Sequence, residues 1–252
     1  MLDRPSEQEG KAYIALAALV PLPVEELDLD SHEQEKRNRF PMKRIWADNA
    51  LSLVLILCFL LFWLAQALFG WAVHNEQLLE LHQHTQNFGT YLTSAHFWSA
   101  TAENWESEFL QMGAFVVLTI YLKQRGSAES SPYPDEETPE QKQQDQKDEQ
   151  VRGFWRRNSL SVVLFSLFGL SWVVHLIGSF RDYNHEQLAK GQEALTLSGF
   201  LGKPEFWFES FQNWQSEFLA VAAIVLCTIW LRQIGSSQSK KLTEPNRKTG
   251  DG

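Results

Sequence analysis

The sequence predicts an all-α integral membrane protein, with four transmembrane helices set as two tandem two-helix repeats. Three observations predict it. The block Asn104-Trp105-Glu106-Ser107-Glu108-Phe109-Leu110 returns 109 positions later as Asn213-Trp214-Gln215-Ser216-Glu217-Phe218-Leu219. The same offset pairs Trp46 with Trp155, Trp63 with Trp172 and Trp98 with Trp207, so eight of the ten tryptophans recur. Self-similarity at a fixed period is the signature of a repeated structural unit. Finally, Asn49 to Asn75 contains no Asp, Glu, Lys or Arg, and Asn158 to Phe180 has His175 as its one charged-type side chain. Runs of that length match the roughly 20 apolar residues that cross a bilayer core. The net charge of −9 and mean hydropathy of −0.27 describe the polar tails, which dilute the apolar blocks.

Taken in order, residues 1–45 form a polar amino-terminal extension. Within it, Ala12 to Val24 is apolar but too short to span, and Pro21 and Pro23 interrupt it. The first membrane repeat covers 46–125, with spans over about 49–73 and 104–122. Residues 126–152 are rich in Glu, Gln, Asp, Ser and Pro and read as a disordered acidic linker. The second repeat covers 153–235, with spans over about 158–180 and 213–231, and 236–252 is a polar tail expected to be mobile. Asn49, Asn104, Asn158 and Asn213 stand where an N-cap belongs. Gly126 and Gly235 follow a basic turn, as helix C-caps do. Cys58 and Cys227 fall inside apolar spans and read as buried thiols, not a disulfide.

Orientation follows from Lys and Arg near the span ends. Arg37, Arg39, Lys43, Arg44, Lys123, Arg125, Arg152, Arg156, Arg157, Arg232, Lys240 and Lys241 share the side that holds both termini and the linker. The loop between the first two spans has no Lys or Arg. Both termini are therefore expected in the cytoplasm of a multi-pass protein of the cell membrane, with both loops outside. Trp46, Trp105, Trp155 and Trp214 sit at the expected interfaces and read as headgroup anchors.

One constellation carries possible chemistry. The second and fourth spans are short unless they take Glu108 and Glu217 below the outer interface. Gln66 and His175, paired by the repeat offset, fall at a similar depth on the first and third spans. The expected candidate cluster is therefore Gln66 with Glu108, and His175 with Glu217. A carboxylate near hydrocarbon is costly unless paired, and an intramembrane ionisable residue is a functional candidate by default. Against this stands a plain structural role, because an acid in the first turn of a helix suits the helix dipole. The first outer loop also holds His74, His82, His84 and His96 beside Glu76 and Glu80. No HExxH or paired-cysteine motif accompanies them, so no metal or cofactor is expected.

There is no Walker A loop, no GxGxxG after a strand and no GxSxG elbow. The basic residues are topogenic flanks, not a nucleic-acid face. The run Met42-Lys43-Arg44-Ile45-Trp46-Ala47-Asp48-Asn49-Ala50-Leu51-Ser52 resembles the start of a family of uncharacterised bacterial membrane proteins, known only as a domain of unknown function. Asn104 to Gly113 and Gln124-Arg125-Gly126-Ser127-Ala128-Glu129-Ser130 resemble its other shared blocks. The resemblance covers roughly 42–130 and 155–237. It implies no activity or substrate, and it makes Met42 a candidate start residue. The function expected is that of a non-enzymatic membrane protein, structural, stress-related or partner-binding. The alternative is a small homo-oligomeric transporter or channel moving protons or cations past the intramembrane acids. A membrane enzyme using the outer-loop histidines with a metal is a weaker third. The partner certain to matter is the lipid bilayer. On this reading the expressed chain sediments with membranes in high-speed centrifugation and needs detergent for release; recovery in the detergent-free supernatant would defeat it.

Overall fold

The computed structural model describes residues 41–250; the expectations for 1–40 lie outside the described residues. These residues form seven helices and no strand: α1 (Pro41–Glu80), α2 (Phe88–Leu92), α3 (Ala95–Tyr121), α4 (Pro139–Glu149), α5 (Phe154–Ala189), α6 (Leu197–Leu201) and α7 (Pro204–Trp230). The chain makes two compact units, up to Gln66 and from Ala67 onward, and α1 runs across the division. Among the described residues the first unit is the opening part of α1, and the second holds the other six helices. Three helices are long and apolar enough to cross a membrane: Asp48–Glu80, α5 and α7. Helix α3 matches α7 at 27 residues, and each carries three acids: Glu103, Glu106 and Glu108 in α3, and Glu205, Glu209 and Glu217 in α7.

The helix starts differ from those read off the asparagines. Ser94 begins α3, its hydroxyl accepting the Phe97 amide at 3.1 Å, and Pro204 opens α7 at a position where a missing N–H costs nothing. Both helices therefore start nine residues earlier than Asn104 and Asn213. At 1.5 Å per residue each reaches about 40 Å, so neither is short for a bilayer. The asparagines lie within helices. Asn49, Asn104 and Asn158 each donate the side-chain amide to the carbonyl four residues back, at 3.1, 2.8 and 2.9 Å. Asn49 still interrupts α1, where its backbone leaves helical geometry (φ −134°, ψ 15°).

The same hydrogen bonds recur at the offset seen in the sequence. The Asn75 side chain clamps the Gln86 backbone (3.1 and 2.8 Å), and Asn184 clamps Leu195 (3.1 and 2.7 Å). The left-handed turn position before each clamp is His82 (φ 59°) in one half and Gly191 (φ 73°) in the other. Beyond α3 and α7 the chain makes one turn twice. The Ser127 amide bonds the Gln124 carbonyl and that of Ser236 bonds Gln233. The Ser130 and Ser239 hydroxyls accept the Gln124 and Gln233 amides at 2.9 and 2.8 Å. Gly126 (φ 83°) and Gly235 (φ 81°) take the positive-φ position of these turns. They are thus turn glycines beyond the helix ends, not helix C-caps.

The polar tail packs against the first of these turns. The Gly126 amide donates to Thr249 Oγ1 at 3.0 Å and the Gly250 amide to the Ser127 carbonyl at 2.9 Å. Buried Lys240 donates through Nζ to the carbonyls of Gly126, Asn246 and Lys248. Burial, with Arg232 nearby, holds its ammonium below the usual lysine range. The stretch expected to be a structureless linker contains α4, opened by a Thr138–Gln141 capping box and burying none of its residues. Cys58 and Cys227 are free thiols, but exposed on their helices.

The tightest packing joins halves: α3 lies antiparallel on α5 through small residues. A Cβ on Gly178 would stand 2.9 Å from Ser99 Cβ, and the neighbouring Ser99 and Ser179 hydroxyls bond at 2.6 Å. Further along the crossing, Gly113 faces the Phe165 ring. Small residues of this kind let helix backbones approach in lipid, where no hydrophobic force acts between helices. Gly178→Ala is expected to cost about 1–3 kcal/mol through overpacking. Gly169→Ala, with open space around it, is expected to be neutral or slightly stabilising; thermal unfolding of the detergent-solubilised variants compares them.

Candidate functional site

Three turns of α3 and one side of α5 meet where the crossing is close. His175 is fully buried on α5 and Glu106 fully buried on α3. The imidazole Nδ1 lies 3.0 Å from Glu106 Oε2. The second Glu106 oxygen accepts the indole N–H of Trp214 at 3.2 Å. Trp214 comes from α7, so one carboxylate ties three helices together. Phe206, also on α7 and fully buried, closes the site with its ring centroid 4.9 Å from that of His175. Phe206 belongs to the apolar core with Leu176 and Phe200.

The other imidazole nitrogen faces more acid. His175 Nε2 stands 3.5 Å from Glu209 Oε2, an ion-pair distance, yet it is buried and makes no hydrogen bond. Ligand atoms of Glu103, His175 and Glu209 all lie within 4.8 Å of one another. Glu103 Oε1 accepts the Asn213 amide at 2.5 Å, and the Ser179 hydroxyl reaches Glu209 at 3.5 Å. Three carboxylates therefore surround one imidazole. Glu103 and Glu209 also line a cavity of about 440 Å³ at the loop end of the helices, with Asp182, Glu186, Glu205 and Lys190. Acids outnumber bases in that lining, so the cavity favours cations.

Beside it lies a second cavity of about 410 Å³, lined by His74, Gln77, Glu80, His96, Asp182 and His185 among others. The His74 and His96 rings sit 4.5 Å apart, and Nδ1 of each is buried without a hydrogen bond. Of the four outer-loop histidines read together from the sequence, these two meet. His82 and His84 lie on the connecting turn.

The expected pairing of His175 with Glu217 is not found; His175 pairs with Glu106 and Glu209. The reason is register. Helices α3 and α7 begin nine residues earlier than read, which moves each acid along its helix. Two residues is also a rotation of about 200°, so Glu106 faces the interior while Glu108 is exposed. Glu217 is half-buried, and its electrostatic neighbour is Glu108. Gln66 lies in the first unit and Glu108 in the second. Among the expected anchors, Trp46 and Trp155 are exposed, but Trp214 is a working part of the site.

Glu103, Glu106 and Glu209 are the residues that reading the sequence missed. A signal for two of them was present. The repeated seven-residue block differs at one position only, Glu106 against Gln215, and the copy-related counterpart of His175 is Gln66. Glu103 likewise corresponds to Gln212. His175, Glu106 and Glu103 thus each have an amide 109 positions away, whereas Glu209 corresponds to Ala100.

Comparison with known families places the chain. A family model described as a domain of unknown function (DUF6766) matches residues 42–251, and the chain belongs to that family. The match is one continuous stretch over both halves and the linker. No curated protein and no solved structure matches. The family description brings no activity, so function rests on the site.

Glu106→Ala leaves the imidazole and the Trp214 indole N–H facing each other across an empty acceptor. It is expected to lower stability by about 3–5 kcal/mol, whereas Glu108→Ala stays within about 0.5 kcal/mol. Thermal unfolding in a matched detergent distinguishes them.

Proposed function

We propose that this is a four-span integral membrane protein, built as two tandem hairpins, that binds cations at the His175 site and passes them across the bilayer as an oligomer. The single observation that carries the reading is the fully buried His175–Glu106 pair, flanked by Glu103 and Glu209, which line an acidic cavity. Ionisable groups at such depth are kept where ion or proton pathways run. The fourth span is α3, whose Glu103 and Glu106 bond to side chains of α5 and α7, while Glu108 is exposed. Both termini lie in the cytoplasm, by the Lys and Arg count, which puts the cavity at the outer face. Four helices enclose too little volume for a pore within one chain, so a homo-oligomer supplies the remainder of the path. Nothing in the site supports bond-making chemistry, and the protein is read as a non-enzyme.

A second reading is that the cluster is a lock. The Trp214–Glu106–His175 chain of hydrogen bonds spans α7, α3 and α5, which suits a scaffold that binds partners and transports nothing. Reconstitution in liposomes separates the two. With an imposed cation or pH gradient, wild-type vesicles are expected to dissipate it faster than protein-free vesicles. Glu209→Gln, a change at a half-exposed position, is expected to bring the rate down towards that of empty vesicles. Wild-type vesicles as tight as empty ones to protons, monovalent and divalent cations would overturn transport and leave the scaffold.

A further inference from the structure

We propose that His175 Nε2, with one carboxylate oxygen each from Glu103 and Glu209, binds a divalent first-row transition metal. The proposal rests on the cation-binding reading above and names its ligand class. The acids alone would not carry it. What points to an ion is the imidazole nitrogen itself: fully buried, without a hydrogen-bond partner, and aimed into the carboxylates.

The geometry fits coordination. Nε2 and Glu209 Oε2, 3.5 Å apart, already stand at the spacing of two ligands each about 2.1 Å from a shared ion. Glu103 offers the third ligand within the same group. Behind the ligands lies an orienting set. Glu106 accepts from Nδ1, which leaves the Nε2 lone pair free for metal and raises the basicity of the ring. This is the carboxylate–histidine–metal arrangement typical of metal sites. Trp214 in turn holds Glu106, and Asn213 holds Glu103.

The charge balance agrees. Three carboxyl groups stand around one imidazole, and among the described residues no Lys or Arg pairs with them, so a divalent ion would offset the acids. The donor set selects the kind of ion. One imidazole and two carboxylates, with no thiolate, suit zinc, manganese or ferrous iron; an all-oxygen set would suit magnesium or calcium. Two of the ligands, Glu103 and Glu209, line the 440 Å³ cavity, from which water or an exchanging ligand can enter. In the other half the corresponding residues are Gln66, Gln212 and Ala100, so the expected stoichiometry is one ion per chain.

The test uses the full chain in detergent, stripped with chelator and dialysed against zinc or manganese chloride, with bound metal counted by elemental analysis. Wild type is expected to hold one ion per chain. Glu209→Gln and Glu103→Gln are expected to weaken binding at least about 100-fold, and Glu106→Gln, an orienting change, about 10–100-fold. Glu217→Gln is expected to bind as wild type. Gel filtration confirms that each variant remains folded. No metal bound by folded wild type, or equal binding by Glu103→Gln and Glu209→Gln, overturns the proposal. Binding that is lost instead on His96→Gln places the ion in the neighbouring cavity and overturns it too. Dissipation of a proton or monovalent-cation gradient by folded wild type that binds no metal would sink the metal assignment alone and leave the cation reading standing; tight vesicles with one bound metal would do the reverse.

Discussion

Burying a carboxylate against an imidazole among apolar helices constrains nearly everything around it. An isolated charge in such surroundings is prohibitively costly, and a buried pair is tolerated only when its remaining donors and acceptors are matched. At Glu106 the matching is visible, and His175 shares it through Nδ1, while its Nε2 is left facing Glu209. The second Glu106 oxygen is taken by Trp214, and the imidazole stands over Phe206. These partners come from three helices. The contact that lets them meet is the close crossing of Gly178 with Ser99, three residues beyond His175 on α5. Wider spacing there would break the 3.0 Å bond and strand both groups. The small residues of the crossing and the charged residues of the site are therefore one design.

The recurrence at 109 residues sets the single site in contrast. The two halves share backbone clamps, turns and the lengths of α2 and α6 and of α3 and α7, though not of α1 (40 residues) and α5 (36), so positions 109 apart offer equivalent places for polar residues. One place is filled with His175, Glu103 and Glu106, and its counterparts with Gln66, Gln212 and Gln215. Amides keep the hydrogen-bonding capacity and discard the charge. Exchanging one member alone would leave a buried charge without its partner, a cost of several kcal/mol; the substitutions are coherent as a set. Glu209 stands apart, since its counterpart is Ala100. It adds acid on the cavity side of the imidazole and makes that face differ from the face held by Glu106.

Much of the architecture was legible because it is periodic. The 109-residue offset places α3 and α7, α2 and α6, and the Asn75 and Asn184 clamps in register without any three-dimensional information. Apolar runs announced Asp48–Glu80 and α5 by length. What could not be read was phase. A helix start misplaced by nine residues made the second and fourth spans look short, which pointed to Glu108 and Glu217; Glu106 lies two residues away on the opposite face, and Glu209 precedes the expected start of the fourth span. The asparagines misled because Asn is common both at caps and, back-bonded to a carbonyl one turn earlier, inside helices. Trp214 misled in another way. An indole at an interface is usually a headgroup anchor, and only its distance to Glu106 shows the second role.

The terminus-bearing end shows the same economy of form with a different outcome. The turns at Gln124–Ser130 and Gln233–Ser239 share their hydrogen bonds, yet they are not equally used. At Gly126 a Cβ would meet the Asn246 carbonyl, because the tail is laid against that turn; at Gly235 the space is open. Glycine is needed at both for its positive φ, but at Gly126 close approach is a second reason. One copy of the turn thus serves the chain itself, while the equivalent copy is left uncovered by the tail. Charge at one end of the helices and backbone packing at the other follow a single rule. A duplicated frame supplies matched positions, and specificity arises where one member of a pair acquires a partner that the other lacks.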